Sequence, residues 1–295
     1  MLIFVVEAFL VLMSSLLQLL YSVIIGIIQG ISEWLPVSSK TQIIVSSTLL
    51  LKLTYQQAYT FGLFMEIGTL VAAVIYFRKD LLKLVQVLAG SRDADKRKLF
   101  MYILVVTVVT AVIAAPLYLI ADSITGIALG VPMMIIGLVL IGDAFLIRYS
   151  KKRQQQGTSL RKLKNLTVKD YLIIGVTQGI SALPGVSRSG ITTSAMLLLN
   201  IEPDEAFRLS FTAGIFAAAG AFGITLVASR HNVAAALAAI GTTGLVAAII
   251  TATIISLFLI DFLIKVAGKQ KITYLTAALG AIAVASGLLY LILGL

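Results

Sequence analysis

The chain has 295 residues, of which 59% are hydrophobic and 12% charged, with a formal net charge of +10 and a mean hydropathy of +1.04. These values lie outside the soluble globular range, and several apolar runs reach the roughly 20 residues that cross a bilayer, so a soluble domain is excluded in favour of a polytopic, all-α membrane protein. The 23 Lys and Arg concentrate in short stretches beside apolar runs, which marks cytoplasmic loops and argues against nucleic acid as a partner, and the absence of cysteine excludes disulfides and thiolate sites.

Residues 2–20 are apolar but lack a basic leader and a small-residue cleavage site, so a signal peptide is disfavoured. Met13 is an alternative start, and residues 1–12 are assigned no place in the topology. A Gly/Pro-broken segment at about Ser22 to Lys52 carries the phrase Gln29-Gly-Ile-Ser32-Glu-Trp-Leu-Pro-Val-Ser38. Tyr59 to Phe77 is the first clear span, followed by a loop with seven basic residues from Arg78 to Lys98. Leu99 to Ile120 and about Gly126 to Ile147 form a hairpin of spans that returns to eight basic residues from Arg148 to Lys169.

A second broken segment, Asp170 to Asn200, repeats the phrase 149 residues on as Gln178-Gly-Ile-Ser181-Ala-Leu-Pro-Gly-Val-Ser187. Spans at about Ala206 to Ala228, Ala235 to Ile264 and Ile272 to Leu293 complete the chain, with Lys265 to Lys271 as the third basic loop. Two full crossings already return the chain from the second basic loop to the third. The apolar pieces of the second broken segment are too short for two crossings, so it is expected to dip in and return, and by the same count so does the first. The architecture expected is therefore an inverted-topology repeat, two re-entrant helix pairs plus about six transmembrane helices. It forms one integral domain, residues 1–295, with repeat halves at about 13–150 and 168–295.

Several side chains in the broken segments carry chemistry. Glu33 is a carboxylate at membrane depth and shares a helix face with Gln29; its plainer reading is a protonated acid hydrogen-bonded between helices. Ser38, Ser39, Thr41 and Gln42 follow a proline and open a helix, where free N–H groups suit an anion, although simple N-capping by either serine is the plainer account. In the second segment Gly185, Ser187, Arg188, Ser189, Gly190 and Thr192 combine a closely approachable backbone, hydroxyl donors and one guanidinium standing apart from the basic clusters. Together these residues describe a phosphate site, able to bind a phosphorylated ligand or to support phosphoryl transfer with a divalent metal.

These motifs, Gln-Gly-Ile-Ser-Glu-Trp-Leu-Pro-Val-Ser-Ser and later Pro-Gly-Val-Ser-Arg-Ser-Gly, resemble the undecaprenyl-diphosphate phosphatase family, also called the bacitracin-resistance protein family. The resemblance runs from about Met13 to near the end and includes Phe64 to Thr69. It implies a metal-dependent phosphatase of the cell membrane that removes the terminal phosphate of a polyprenyl diphosphate and recycles the lipid carrier. Carried over by position, the family's acidic pair falls on Gln29 and Glu33, its serine nucleophile on Ser39 and its phosphate-binding arginine on Arg188, flanked by Ser187, Ser189 and Thr192.

Two departures stand out. Gln29 replaces an acid, and Gln42 stands where a histidine base is often proposed, so either Glu33 or a metal-bound water activates the nucleophile, or the reaction is slower or different. Glu66, where the family often carries glutamine, is a candidate replacement metal ligand. The expected ion is Mg²⁺ or Ca²⁺ at Glu33 and Glu66, with Gln29, Ser38, Gln42, Gly185, Ser187, Ser189 and Thr192 around the substrate. The partners expected are the polyprenyl diphosphate and membrane lipids, with a homodimer left open. His231 is expected in a solvated loop, and Asp143 and Asp261 at interfaces paired with nearby bases. The competing reading is a transporter or flippase of a lipid phosphate, which inverted repeats commonly build.

Overall fold

The computed structural model describes residues 2–35, 38–123, 160–183, 186–228, 230–267 and 271–293, with scattered helical positions between 131 and 152. Among the described residues there is no strand beyond an isolated bridge between Arg161 and Ile201. The helices are α1 (Leu2–Ser32), α2 (Ser39–Leu51), α3 (Tyr55–Tyr76), α4 (Arg78–Leu88), α5 (Ala94–Ser123), α6 (Val168–Ile180), α7 (Arg188–Leu198), α8 (Pro203–Ala228), α9 (Arg230–Ala267) and α10 (Lys271–Leu293).

Local sequence sets most of the boundaries. Thr54 and Gln57 form a capping box that opens α3, and Thr167 and Asp170 do the same for α6. Pro203 followed by Asp204 and Glu205 starts α8, a proline and two acids where the helix dipole favours them. Helix α2 stops at Lys52, which takes a left-handed conformation. Gly241, at φ 71°, breaks the run of α9.

Five stretches are long and apolar enough to cross a membrane: Ser15–Ser32, Tyr55–Tyr76, Ala94–Tyr118, Pro203–Val227 and Leu237–Val266. Large apolar side chains such as Val112, Val227, Phe258 and Ile292 remain outside the packed core, as a lipid-facing surface requires. Four of the five stretches coincide with expected spans. The expected span at Gly126 to Ile147 lies largely outside the described residues, and the last expected span is helix α10, with an apolar stretch at Thr276–Ile292.

Three expectations are corrected. Helix α1 runs unbroken through residue 22, so the apolar N-terminal stretch and the first phrase belong to one helix. The Arg78 to Lys98 stretch is not simply a loop, because α4 occupies its first half with Leu84 turned inward. His231 is exposed, as expected, but stands in the first turn of α9.

Packing crosses between the halves of the chain. Helix α1 lies along α9, and α6 lies along α5, while α3 sits between α9, α8 and α2. Glycines make both crossings close. A Cβ added at Gly26 would stand 2.5 Å from the Ala248 carbonyl oxygen and one at Gly30 2.8 Å from Ile255 Cβ; at Gly175 and Gly179 it would stand 2.7 Å and 2.6 Å from Val109 Cβ and Ile113 Cβ. Both pairs have the small-xxx-small spacing of tightly crossed membrane helices.

Two ion-pair groups join segments at the basic ends. Asp80 of α4 accepts two hydrogen bonds from Arg208 Nη2, at 2.7 and 2.9 Å, and one from Lys83 at 2.7 Å. Asp170 accepts from Arg161 at 2.6 and 3.0 Å and from the Thr167 backbone at 2.6 Å. Burial pushes the Asp170 acid up, but these donors outweigh it and hold it at about 2, below its ordinary 3.8.

Two outcomes follow. Gly179→Val forces a branched side chain into Ile113 and lowers the detergent unfolding midpoint by the equivalent of about 1–3 kcal/mol; an unchanged midpoint would mean that this crossing is not close. The depressed Asp170 acid stabilises the fold above about pH 4, and this contribution fades as pH falls towards 2. Asp170→Asn is therefore expected to flatten the acid limb of stability against pH, measured by unfolding at stepped pH values.

Candidate functional site

The two copies of the phrase end their helices in the same way. Helix α1 closes at Ser32, whose hydroxyl donates to the Ile28 carbonyl at 2.6 Å; α6 closes at Ile180, and the next residue, Ser181, donates to the Gln178 carbonyl at 2.6 Å. The chain then turns and a serine caps the next helix. Ser38 accepts from the Thr41 N–H at 3.4 Å to start α2, and Ser187 accepts from the Gly190 N–H at 3.3 Å to start α7. Ser39 and Arg188 are thus the first residues of their helices, where backbone N–H groups are unsatisfied within the helix.

Glu33 joins the two tips. Its Oε2 accepts from Ser39 Oγ at 2.8 Å and from Gln29 Nε2 at 3.0 Å, while its Oε1 takes Arg188 Nη2 at 2.5 Å. The second arm of the guanidinium donates to the Gly214 carbonyl of α8. Both charged side chains are nearly enclosed, with 4% of the Glu33 side chain and 13% of the Arg188 side chain exposed. Ser189 Oγ donates to the Leu35 carbonyl at 3.2 Å and lies 3.3 Å from Ser187 Oγ, a further tie between the tips.

These groups open on a cavity of about 160 Å³. Its charged lining is Glu33, Lys40, Glu66 and Arg188, with hydroxyls and an amide from Ser39, Ser187, Thr110 and Gln178, and α5 and α8 add small apolar residues such as Ala111, Ala115, Ala217 and Ala221. Lys40 Nζ lies 3.8 Å from Glu66 Oε1 and donates to the Ser181 carbonyl at 3.2 Å. Tyr59 donates from its hydroxyl to the Ala182 carbonyl at 3.3 Å, and Gln178 donates from Nε2 to Thr110 Oγ1 at 3.1 Å. The amide oxygens of Gln29 and Gln178 are both buried with no partner among the described residues.

Of the residues singled out from sequence, Glu33, Ser38, Ser39, Glu66, Ser187 and Arg188 line this cavity, and Gln29 reaches it through Glu33. Gln42, Ser189 and Thr192 do not line it. Gln42 sits half-buried on α2, and Thr192 turns its hydroxyl back onto the Arg188 carbonyl, as a helical threonine readily does. Gly185 and Asp143 lie outside the described residues. Asp261 pairs with Lys265 at 2.5 Å, as expected of an interfacial acid.

Sequence reasoning passed over Lys40, Tyr59, Gln178 and Gly214. Lys40 carried a usable signal, since it stands apart from the three basic clusters just as Arg188 does. The other three are revealed only by the packing.

Fold and site together define a multi-pass α-helical membrane protein with a buried, charged cavity where two broken segments meet. The bacitracin resistance protein BacA family matches residues 22–285, and the chain belongs to that family. A protein named undecaprenyl-diphosphatase from Saccharolobus solfataricus is 44% identical over 273 residues, covering 92% of this chain and 96% of its own. Relatives of the same name from Sulfurisphaera tokodaii and Pyrobaculum aerophilum are 43% and 38% identical, over 94% and 91% of this chain and 100% and 97% of theirs.

The Glu33–Arg188 pair sets a stability test. Arg188→Ala strands a buried carboxylate and is expected to cost about 3–5 kcal/mol, whereas adding Glu33→Gln to Arg188→Met restores most of the loss by removing both charges. Thermal unfolding in detergent checks this; wild-type stability for Arg188→Ala would show that the pair does not hold the tips.

Proposed function

We propose that the chain is a polyprenyl-diphosphate phosphatase, which converts an undecaprenyl-type lipid diphosphate to the monophosphate and so recycles the lipid carrier of envelope glycans in the cell membrane. The observation that carries the proposal is the Ser39 hydroxyl donating to Glu33 Oε2 at 2.8 Å, beside Arg188 and at the head of an apolar-walled cavity. A phosphatase needs a nucleophile held by a base, a cation for the charge on phosphate, and here a dry path for the isoprenoid. The relatives carry the name of that activity. The transporter reading finds no support among them.

The chemistry runs as follows. The terminal phosphate sits at the N-termini of α2 and α7, where Arg188 turns its fork from Glu33 to the phosphate oxygens. Released from the guanidinium, Glu33 takes the proton of Ser39 as Oγ attacks the terminal phosphorus. The bond from that phosphorus to the bridging oxygen breaks, and the polyprenyl monophosphate leaves with the proton that Glu33 had taken. Water then attacks the phosphoserine and gives its proton to the Glu33 carboxylate, which passes it to Ser39 Oγ as the bond to phosphorus breaks and inorganic phosphate is released. Gln29 holds the carboxylate in line, and Gln42, which cannot accept a proton, is assigned no part in the transfer.

For a divalent ion the available oxygens are Glu33, Glu66 and the unpartnered amide oxygen of Gln29. Both carboxylates already face a cation, Arg188 and Lys40. Magnesium takes few protein ligands and fills its shell with water and substrate phosphate. The residues therefore suit an ion that arrives with the diphosphate, where it would supply charge neutralisation of the leaving group.

The inverted repeat belongs to this proposal, with halves at about 13–150 and 168–295. Its support is the shared offset of the two phrases, of the caps Ser38 and Ser187, and of the glycine pairs Gly26/Gly30 and Gly175/Gly179, each pair facing a span of the opposite half. Helices α6 and α7, of 13 and 11 residues, are about 20 Å and shorter, too short to span, which favours a re-entrant second pair.

Phosphate release from a polyprenyl diphosphate by the purified protein with Mg²⁺ tests the proposal. Ser39→Ala is expected to lower kcat by at least about 10³-fold with KM little changed. Gly214→Ala places a methyl 2.6 Å from Arg188 Nη1 and is expected to lower kcat/KM about tenfold. Full activity in Ser39→Ala would remove the nucleophile assignment.

A further inference from the structure

We infer that Lys40 is a second phosphate-binding residue of the cavity, taking the phosphoryl group of a diphosphate that Arg188 does not hold. The inference rests on the phosphatase reading for its ligand, but on separate residues for its argument.

Lys40 occupies the first turn of α2, next to Ser39, where the helix dipole repels a cation. It lines the same small cavity as Arg188, and its side chain is only 12% exposed. Two cations and two helix N-termini converge on one enclosed space; Glu33 beside Arg188 and Glu66 near Lys40 offset their mutual repulsion at rest, and an anion carrying more than one charge can take the place of both carboxylates. Glu66 offsets part of the repulsion, yet at 3.8 Å it lies beyond hydrogen-bond reach of the ammonium. The one hydrogen bond found for Nζ goes to the Ser181 carbonyl, so of its three N–H donors two remain for a ligand among the described residues.

A merely structural Lys40–Glu66 pair explains less. Neutral side chains of similar size fill a buried site at no greater cost than an ion pair and would not bring an ammonium to the cavity wall. The pair instead parallels its neighbour. Arg188 rests on Glu33 and Lys40 rests near Glu66, so each cation is held by a carboxylate that an arriving phosphoryl group displaces. Because Ser39 and Lys40 are consecutive on one helix turn, attack at one phosphorus and charge contact at the next are coupled through α2. Selectivity for a diphosphate over a monophosphate follows from this second contact.

The test is metal-free binding of inorganic pyrophosphate and orthophosphate to the full-length protein in detergent with EDTA, read by calorimetry. Wild type is expected to bind pyrophosphate at least tenfold more tightly than orthophosphate. Lys40→Met should weaken pyrophosphate about tenfold or more while moving orthophosphate less than twofold, and Lys40→Arg should retain the preference. Lys40→Met combined with Glu66→Gln removes both charges together and serves as the folded control, with the same loss expected. Glu66→Gln alone is expected to tighten pyrophosphate binding by several-fold.

Equal binding of the two anions by wild type, or an unchanged pyrophosphate affinity in the Lys40→Met/Glu66→Gln protein, would overturn the inference. The readout is independent of turnover. A protein that shows the Lys40-dependent preference yet releases no phosphate from a polyprenyl diphosphate loses the phosphatase reading and keeps the second anion contact; the converse result does the reverse.

Discussion

A carboxylate at membrane depth must find partners, and Glu33 finds them on both tips of the molecule. Its two oxygens are divided between Arg188 on one side and Ser39 with Gln29 on the other. In a medium of low dielectric that division is a geometric constraint as much as a bond. Neither the first broken segment nor the second can move without exposing an unpaired charge, whose cost in such surroundings is several kcal/mol. The catalytic geometry proposed here is thereby a by-product of charge satisfaction. The hydroxyl is aimed at the carboxylate because the carboxylate is anchored by the guanidinium.

Close backbone packing makes the anchoring possible. Gly26 and Gly30 let α1 lie against α9, and Gly175 and Gly179 let α6 lie against α5. Each crossing holds the helix that leads into a broken segment against a helix distant in sequence, and both segments contribute to the cavity. Trp34, edge-on to Phe211 with ring centroids 5.0 Å apart, fixes the first tip against α8, the helix whose Gly214 carbonyl receives Arg188. At the basic ends, Asp80 with Arg208 and Asp170 with Arg161 fasten the same helices.

How much of this was legible in the sequence divides along a physical line. Residues whose type alone is costly in a membrane were readable, so Glu33 and Arg188 were singled out without coordinates, while Ser39 was separated from Ser38 only by the family resemblance. The spans were readable because hydropathy and basic loops obey the bilayer. Helix α4 was not, because its apolar face is short and its charged face hides it among loop residues. The continuity of α1 was missed because a glycine-bearing phrase looks like a break, whereas here the glycines serve packing. Gln178 and Thr110 are ordinary polar residues whose pairing across α6 and α5 depends on tertiary approach. Gln42, singled out because the resemblance places a histidine there, does not line the cavity.

The difference between the two tips also follows from charge. Both carry a serine that caps the following helix and a buried glutamine. Beyond these shared parts the tips differ in sign. The first carries a carboxylate and a hydroxyl at the turn; the second has Ala182 in place of the acid and Arg188 in place of Ser39. Two acidic tips, or two basic ones, would repel across the cavity. One of each gives a cavity in which the acids Glu33 and Glu66 balance the bases Arg188 and Lys40. A neutral resting cavity is tolerable in a membrane, and in the proposed mechanism it becomes an anion site when a phosphate draws the cations from their carboxylates. The mechanism proposed for Glu33 and Ser39 makes that displacement and the activation of the serine one event.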